Sequence, residues 1–120
     1  MARIMAIDDA KTMRELVKGI LENEGHEVLT AEDGEDAMKI ARDNKVDLVL
    51  SDVNMPNMNG ISLISKLRRL ENYQHTPIIM LTTEGDGYKK DKAKAMGANG
   101  WLQKPFEPQR LVKAVEKMLP

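Results

Sequence analysis

No cysteine occurs in the 120 residues of this chain. Disulfide and thiolate chemistry are therefore excluded, and zinc would find only two histidines beside carboxylates. That absence points to an intracellular protein. There is also no apolar run long enough for a signal peptide or a membrane span, which extends the expectation to a cytoplasmic location. Neither sign of charge dominates: 18 basic and 19 acidic side chains leave a formal net charge of −1, too little for bulk attraction to nucleic acid or a membrane surface. No internal repeat, low-complexity tract or Gly/Ser- or Pro-rich linker interrupts the chain. The expectation is one domain over 1–120, acting as a monomer with no appended output module. Aromatic residues make up 3% of the chain, with a single tryptophan, Trp101.

What is present is a strict alternation. Apolar runs of about five residues alternate with helical patterns of about twelve, the signature of repeated βαβ units. Strands are expected at Arg3–Ile7, His26–Ala31, Val46–Ser51, Pro77–Leu81 and Trp101–Gln103. Between them, Met13, Leu16, Val17, Ile20 and Leu21 mark one face of a first helix, which Gly25 stops. A second helix is expected near 34–44 and a third around Leu63, Ile64, Leu67 and Leu70. A weakly patterned helix follows near 87–96, and a strongly striped one carries Leu111, Val112, Val115, Met118 and Leu119. The pattern predicts an α/β doubly wound, flavodoxin-like (βα)5 sandwich with strand order 2-1-3-4-5 and a ligand site between strands one and three.

That crevice is where the charged residues fall. Asp8 and Asp9 follow the first strand, Asp52 the third, Thr82 the fourth and Lys104 the fifth, so distant positions converge on one sheet edge. Singly, each has a plain explanation: Asp9 as a helix N-cap, Asp52 as a turn residue before Pro56, Lys104 as an exposed loop cation. Together they do not, because carboxylates about 5 Å apart repel by roughly 3 kcal/mol per pair at an effective dielectric near 20. A counter-charge is needed. The oxygen-only donor set suits Mg²⁺, and the loop pattern of a dedicated Ca²⁺ site is missing.

Asp52 stands alone on its strand end, as a carboxylate reached in line by a phosphoryl donor should. Asp8 and Asp9 would then seat the metal. Lys104 would place its point charge on a phosphoryl oxygen, and Thr82 would donate its hydroxyl to another.

With these residues in place, the chain resembles the receiver domain of bacterial two-component response regulators, and it looks closest to the stand-alone chemotaxis type, the CheY-like proteins. The resemblance runs over essentially all 120 residues and rests on Asp8-Asp9, the run from Asp52 to Gly60, Leu81-Thr82-Thr83-Glu84, and Gly100 to Phe106. It implies a phosphorylation-activated switch rather than an enzyme with a separate substrate. Asp52 would accept a phosphoryl group from a CheA-like sensor histidine kinase, with Mg²⁺ held by Asp8, Asp9, Asp52 and the backbone carbonyl of Asn54. It further implies a cis Lys104-Pro105 bond and switching through Thr82 and Trp101, which would alter the face made by the last two helices and strand five. Positions Asn54, Thr83 and Glu84 would tune hydrolysis. The implied partners are a target such as a flagellar motor switch component, and a phosphatase.

Two residues depart from the common pattern. Thr83 stands where many members carry a smaller residue, which would narrow access to Asp52, and Trp101 replaces a tyrosine. A lone tryptophan also reads as core filling, but its place three residues before Lys104 favours the switch. The basic C-terminal part, with 8 basic and 4 acidic residues over 86–120 against 10 and 15 over 1–85, reads either as solvated helix faces or as a surface for an acidic partner. The domain could also act as a phosphate sink or as a regulator unrelated to motility. A phosphohydrolase of the haloacid dehalogenase type fits less well, since Asn54 stands where its second aspartate would be. Flavin binding fits poorly too, because Asp8-Asp9 replaces a phosphate-cradling loop. A phosphorylation-independent interaction module would not need the acidic set.

Overall fold

A computed structural model of the chain describes residues 1–56, 58–83, 91, 92 and 94–119. Five strands, β1 (Arg3–Ile7), β2 (Glu27–Ala31), β3 (Leu48–Asp52), β4 (Ile78–Thr82) and β5 (Gly100–Gln103), pair in parallel in the order β2-β1-β3-β4-β5. This is the expected doubly wound topology, with its switch point between β1 and β3.

The helices are α1 (Lys11–Asn23), α2 (Gly34–Asp43), α3 (Gly60–Arg68) and α4 (Pro108–Met118). Of the weakly patterned helix near 87–96, positions 87–90 and 93 lie outside the described residues, while 91, 92, 94 and 95 are helical.

Alternation along the strands splits the core into two layers. Met5, Ile7, Val49, Ile78 and Met80 pack with Ala37, Met38 and Ala41 of α2 and Leu63, Ile64 and Leu67 of α3. On the other face, Ile4, Ala6, Leu48, Leu50, Ile79 and Leu81 pack with Val17 and Leu21 of α1 and Leu111 and Val115 of α4. In β1, β3 and β4 nearly every side chain is buried because helices cover both faces, which is why these strands read as continuous apolar runs, whereas the edge strands β2 and β5 keep part of theirs exposed.

Element ends differ from the sequence expectation where a side chain intervenes. The third strand starts at Leu48 rather than Val46; just ahead of it the Asp47 carboxylate accepts the Arg3 amide at 2.9 Å and the Asp47 amide donates to the Arg3 carbonyl at 2.7 Å. The second helix gains a side-chain cap, Asp33 accepting the Asp36 amide at 2.8 Å. Gly25, at φ 92°, follows α1 and donates its amide to the Glu22 carbonyl, so the expected glycine stop is present.

After α3 the chain makes a 3-10 turn, Glu71–Tyr73, that hydrophobic periodicity did not announce. Arg68 anchors this region by donating to the carbonyls of Tyr73, Thr76 and Gly97 and to Oδ1 of Asn99, at 2.7–2.9 Å. One arginine thus ties α3 to the approaches of both β4 and β5.

Candidate functional site

The C-terminal ends of β1, β3, β4 and β5 supply the site. Asp8, just past β1, is 4% exposed and held on several sides. Its amide donates to the Ala31 carbonyl at 3.1 Å, its Oδ1 accepts the Ala10 amide at 2.9 Å, and its carbonyl accepts Nη1 of Arg14 at 2.8 Å. The N-cap explanation for Asp9 does not hold: the cap position of α1 is Ala10, without a side-chain cap bond, and Asp9 is exposed. An exposed aspartate with no capping duty is free to meet a ligand arriving from solvent.

Asp52 ends β3 and is 8% exposed. Carboxylate oxygens of Asp8, Asp9 and Asp52 all lie within 4.8 Å of one another. The oxygens around an octahedral Mg²⁺ at ~2.1 Å are up to ~4.2 Å apart, so this all-oxygen donor set fits such an ion with small movement. Lys104 Nζ donates to Asp8 Oδ2 at 2.7 Å and lies 3.4 Å from Asp52 Oδ1. Burial pushes the pKa of Asp52 up; the Lys104 ammonium pulls it down, and the charges of Asp8 and Asp9 push it further up.

The surrounding backbone explains why Asp52 sits where it does. Gly60 opens α3, and its amide donates to the Val53 carbonyl at 2.7 Å. A Cβ added there would stand 2.3 Å from the Asp52 carbonyl oxygen and 2.6 Å from Cε of Met80, so only glycine permits this approach. In the sequence Gly60 closes the run from Asp52 that carries the family resemblance; its role as a spacer behind Asp52 had no one-dimensional signal.

Thr82 ends β4 fully buried, and its carbonyl accepts the Lys104 amide at 2.6 Å, tying the turn that carries the ammonium to the same edge. The Lys104-Pro105 peptide is cis. Trp101 pairs with Met80 in the β4–β5 register, and Thr82 lies two residues beyond Met80, so Trp101 and Thr82 share a sheet face. The indole is partly buried against the layer under α2 and α3. Asn54 and Thr83 are exposed in the loops after β3 and β4, whereas Glu84 lies outside the described residues. The structure thus brings Asp8, Asp9, Asp52 and Lys104 into one cluster and sets Trp101 apart from it, on the strand that leads to Lys104. Among the described residues, no helix is long and apolar enough to cross a membrane.

Residues 4–116 match the family model described as the response regulator receiver domain. The chain is 40% identical over 119 residues to a chemotaxis protein CheY homolog of Campylobacter jejuni, covering 98% of this chain and 92% of that one. It is 36% identical to Protein PilH of Pseudomonas aeruginosa, over 99% of this chain and 98% of that one. The solved structure of the chemotaxis protein CheY4 of Vibrio cholerae superposes with a TM-score of 0.97 at 44% identity, over 99% of both chains.

Proposed function

The chain belongs to the response regulator receiver family of two-component systems, and from that membership we propose that it is a chemotaxis-type phosphorylation switch with Asp52 as its phosphoacceptor. The observation that carries this reading is the cluster itself: three carboxylates within 4.8 Å, with an ammonium 3.4 Å from the one that ends β3. Such crowding costs stability and is retained where charge has to be received.

In the proposed reaction a carboxylate oxygen of Asp52 attacks phosphorus in line. The new O–P bond forms as the P–N bond of a phosphohistidine breaks, and the imidazole leaves with the bonding pair. Asp8, Asp9, Asp52 and the Asn54 carbonyl would hold Mg²⁺, which supplies positive charge against the phosphoryl oxygens. The Lys104 ammonium needs only a short move from Asp8 to reach an added phosphoryl oxygen, and the Thr82 hydroxyl would turn to another. Trp101, on the face it shares with Thr82, would carry the change to the surface around β5 and α4.

The chain would catalyse only its own phosphorylation and dephosphorylation, as a cytoplasmic monomer. Its donor would be a CheA-like histidine kinase and its target a component such as the flagellar motor switch, with a phosphatase to end the signal. Relatives named for chemotaxis favour that output. A phosphate sink or a regulator unrelated to motility is the second reading.

The test is a small acyl-phosphate or phosphoramidate donor with Mg²⁺, read by intact mass. One phosphate should be gained and then lost on Asp52→Asn; labelling that survives the substitution removes Asp52 from the role.

A further inference from the structure

On the side of the molecule away from α1 and α4, a groove of about 370 Å³ runs between α3 and the stretch that carries Lys92 and Met96. Its apolar part is Ile61, which packs on the core layer, and Met96, which is 44% exposed. Its charged part is Lys66, Arg69 and Lys92, all exposed. Among the described residues, no carboxylate lines it.

This last point separates the groove from the others among the described residues. The groove between α1 and α4 sets Glu24 and Glu116 against Lys113, and the one beneath the 3-10 turn sets Asp47 and Glu71 against Lys45. Here, among the described residues, the sign is pure, although residues 1–85 as a whole carry 10 basic and 15 acidic side chains. Helix polarity accounts for part of the arrangement, since Lys66 lies in the last turn of α3 where a cation complements the dipole. It does not account for Lys92, which comes from a different element, nor for an exposed methionine beside these cations. Arg68, the other cation of that turn, is already committed to four carbonyl-type acceptors.

We propose that this groove docks a short acidic peptide segment of a partner protein, its carboxylates facing Lys66, Arg69 and Lys92 and one apolar side chain seated on Met96 and Ile61. Helix α3 has nine residues, so at 1.5 Å per residue the groove is about 13 Å long and an extended segment of about four residues spans it. Ser62 and Ser65 line the same wall and add hydroxyl donors. Methionine is suited to the floor because its flexible thioether adapts to whichever apolar residue arrives. Nucleic acid fits less well, since among the described residues no aromatic side chain lines the groove for bases to stack upon. The ion pairs are exposed and so contribute selection of sign and salt sensitivity more than affinity. The docking site is independent of Asp52 chemistry.

The probe is a fluorescein-labelled acetyl-Glu-Asp-Leu-Glu-Asp-Leu amide, titrated by fluorescence anisotropy against the full chain at low salt, with amide chemical-shift mapping on ¹⁵N-labelled protein. Expected are saturable binding in the micromolar-to-millimolar range, shifts confined to Asn59–Arg69 and 92–96, and weakening of about tenfold on Lys66→Glu combined with Lys92→Glu. Met96→Ala should weaken the leucine peptide more than an all-acidic one. The melting temperatures of both variants, and their phosphate uptake at Asp52, should match the parent chain. Absence of saturable binding overturns the proposal, as do shifts centred elsewhere, equal binding of a lysine-substituted peptide, or tighter binding of single-stranded DNA through the same residues.

Discussion

The ammonium of Lys104 donates to Oδ2 of Asp8 at 2.7 Å, across 96 residues of sequence. The cation expected to meet a phosphoryl group is thus already placed at the site, held by a carboxylate of the proposed metal seat. Anything that occupies Asp8 weakens this ion pair and frees Lys104 toward Asp52, which lies 3.4 Å from it. Under the proposed function, metal binding and phosphoryl recognition would be linked through that one side chain.

Removing charge from the cluster should stabilise the metal-free protein. Asp9 is exposed, so its repulsion by carboxylates within 4.8 Å acts mostly through water and is worth about 1 kcal/mol. Asp9→Ala is expected to raise the melting temperature in EDTA by about 4 °C and to lose the further rise that Mg²⁺ gives the parent chain. Thermal melts with and without Mg²⁺ measure both effects; a fall in the EDTA melt would contradict the crowding argument.

Stability should also depend on pH through Asp52. Burial, with the charges of Asp8 and Asp9, raises its pKa above the ordinary 3.8, against the opposing pull of Lys104. A raised value means that the folded chain holds this proton more tightly than the unfolded one. This contribution to stability is therefore fully present below the unfolded value and is lost as pH rises through the folded value. Urea melts of the metal-free chain against Asp52→Asn, from neutral pH to about pH 4, isolate it: the parent should gain relative to the variant as pH falls. Stabilisation by Mg²⁺ should shrink over the same interval, because protons compete for the carboxylate.

Gly60→Ala tests the spacer behind Asp52. Its Cβ would meet the Asp52 carbonyl at 2.3 Å, which backbone movement alone can relieve. A loss of about 1–3 kcal/mol is expected from overpacking, with slower phosphate uptake because the shifted atoms belong to the proposed acceptor residue. Denaturant melts and intact-mass kinetics should move together.

Trp101 should report on the site without touching it. Half-buried on the face it shares with Thr82, the indole is expected to change emission on addition of Mg²⁺ with beryllofluoride. Thr82→Ala should keep the binding and lose most of the emission change. Silence in the parent chain while binding is detected calorimetrically would reduce the indole to core filling.

Much of this was legible in one dimension. Strand cores such as Leu48-Val49-Leu50 and Ile78-Ile79-Met80 are apolar on both faces because helices cover both, so composition alone located them and their alternation with helical stripes gave the order β2-β1-β3-β4-β5. The strand-end positions of Asp8, Asp9, Asp52, Thr82 and Lys104 followed, since in a parallel sheet every strand ends on the same edge. Element ends were less legible: Asp47 and Asp33 hydrogen-bond to the backbone there, which hydrophobic periodicity does not encode.

The sequence by itself therefore determined the fold and the membership of the acidic cluster, because both depend on local patterns of polarity and on topology. Only the tertiary structure decided the pairing within that cluster. It set Lys104 against Asp8 rather than Asp52 alone, left Asp9 exposed and uncapped, and pressed Gly60 against the Asp52 backbone. It alone assembled the cationic groove from α3 and the stretch that carries Lys92 and Met96. The reason is physical: which charge meets which depends on ångström separations across long loops, and those are fixed when the two core layers pack.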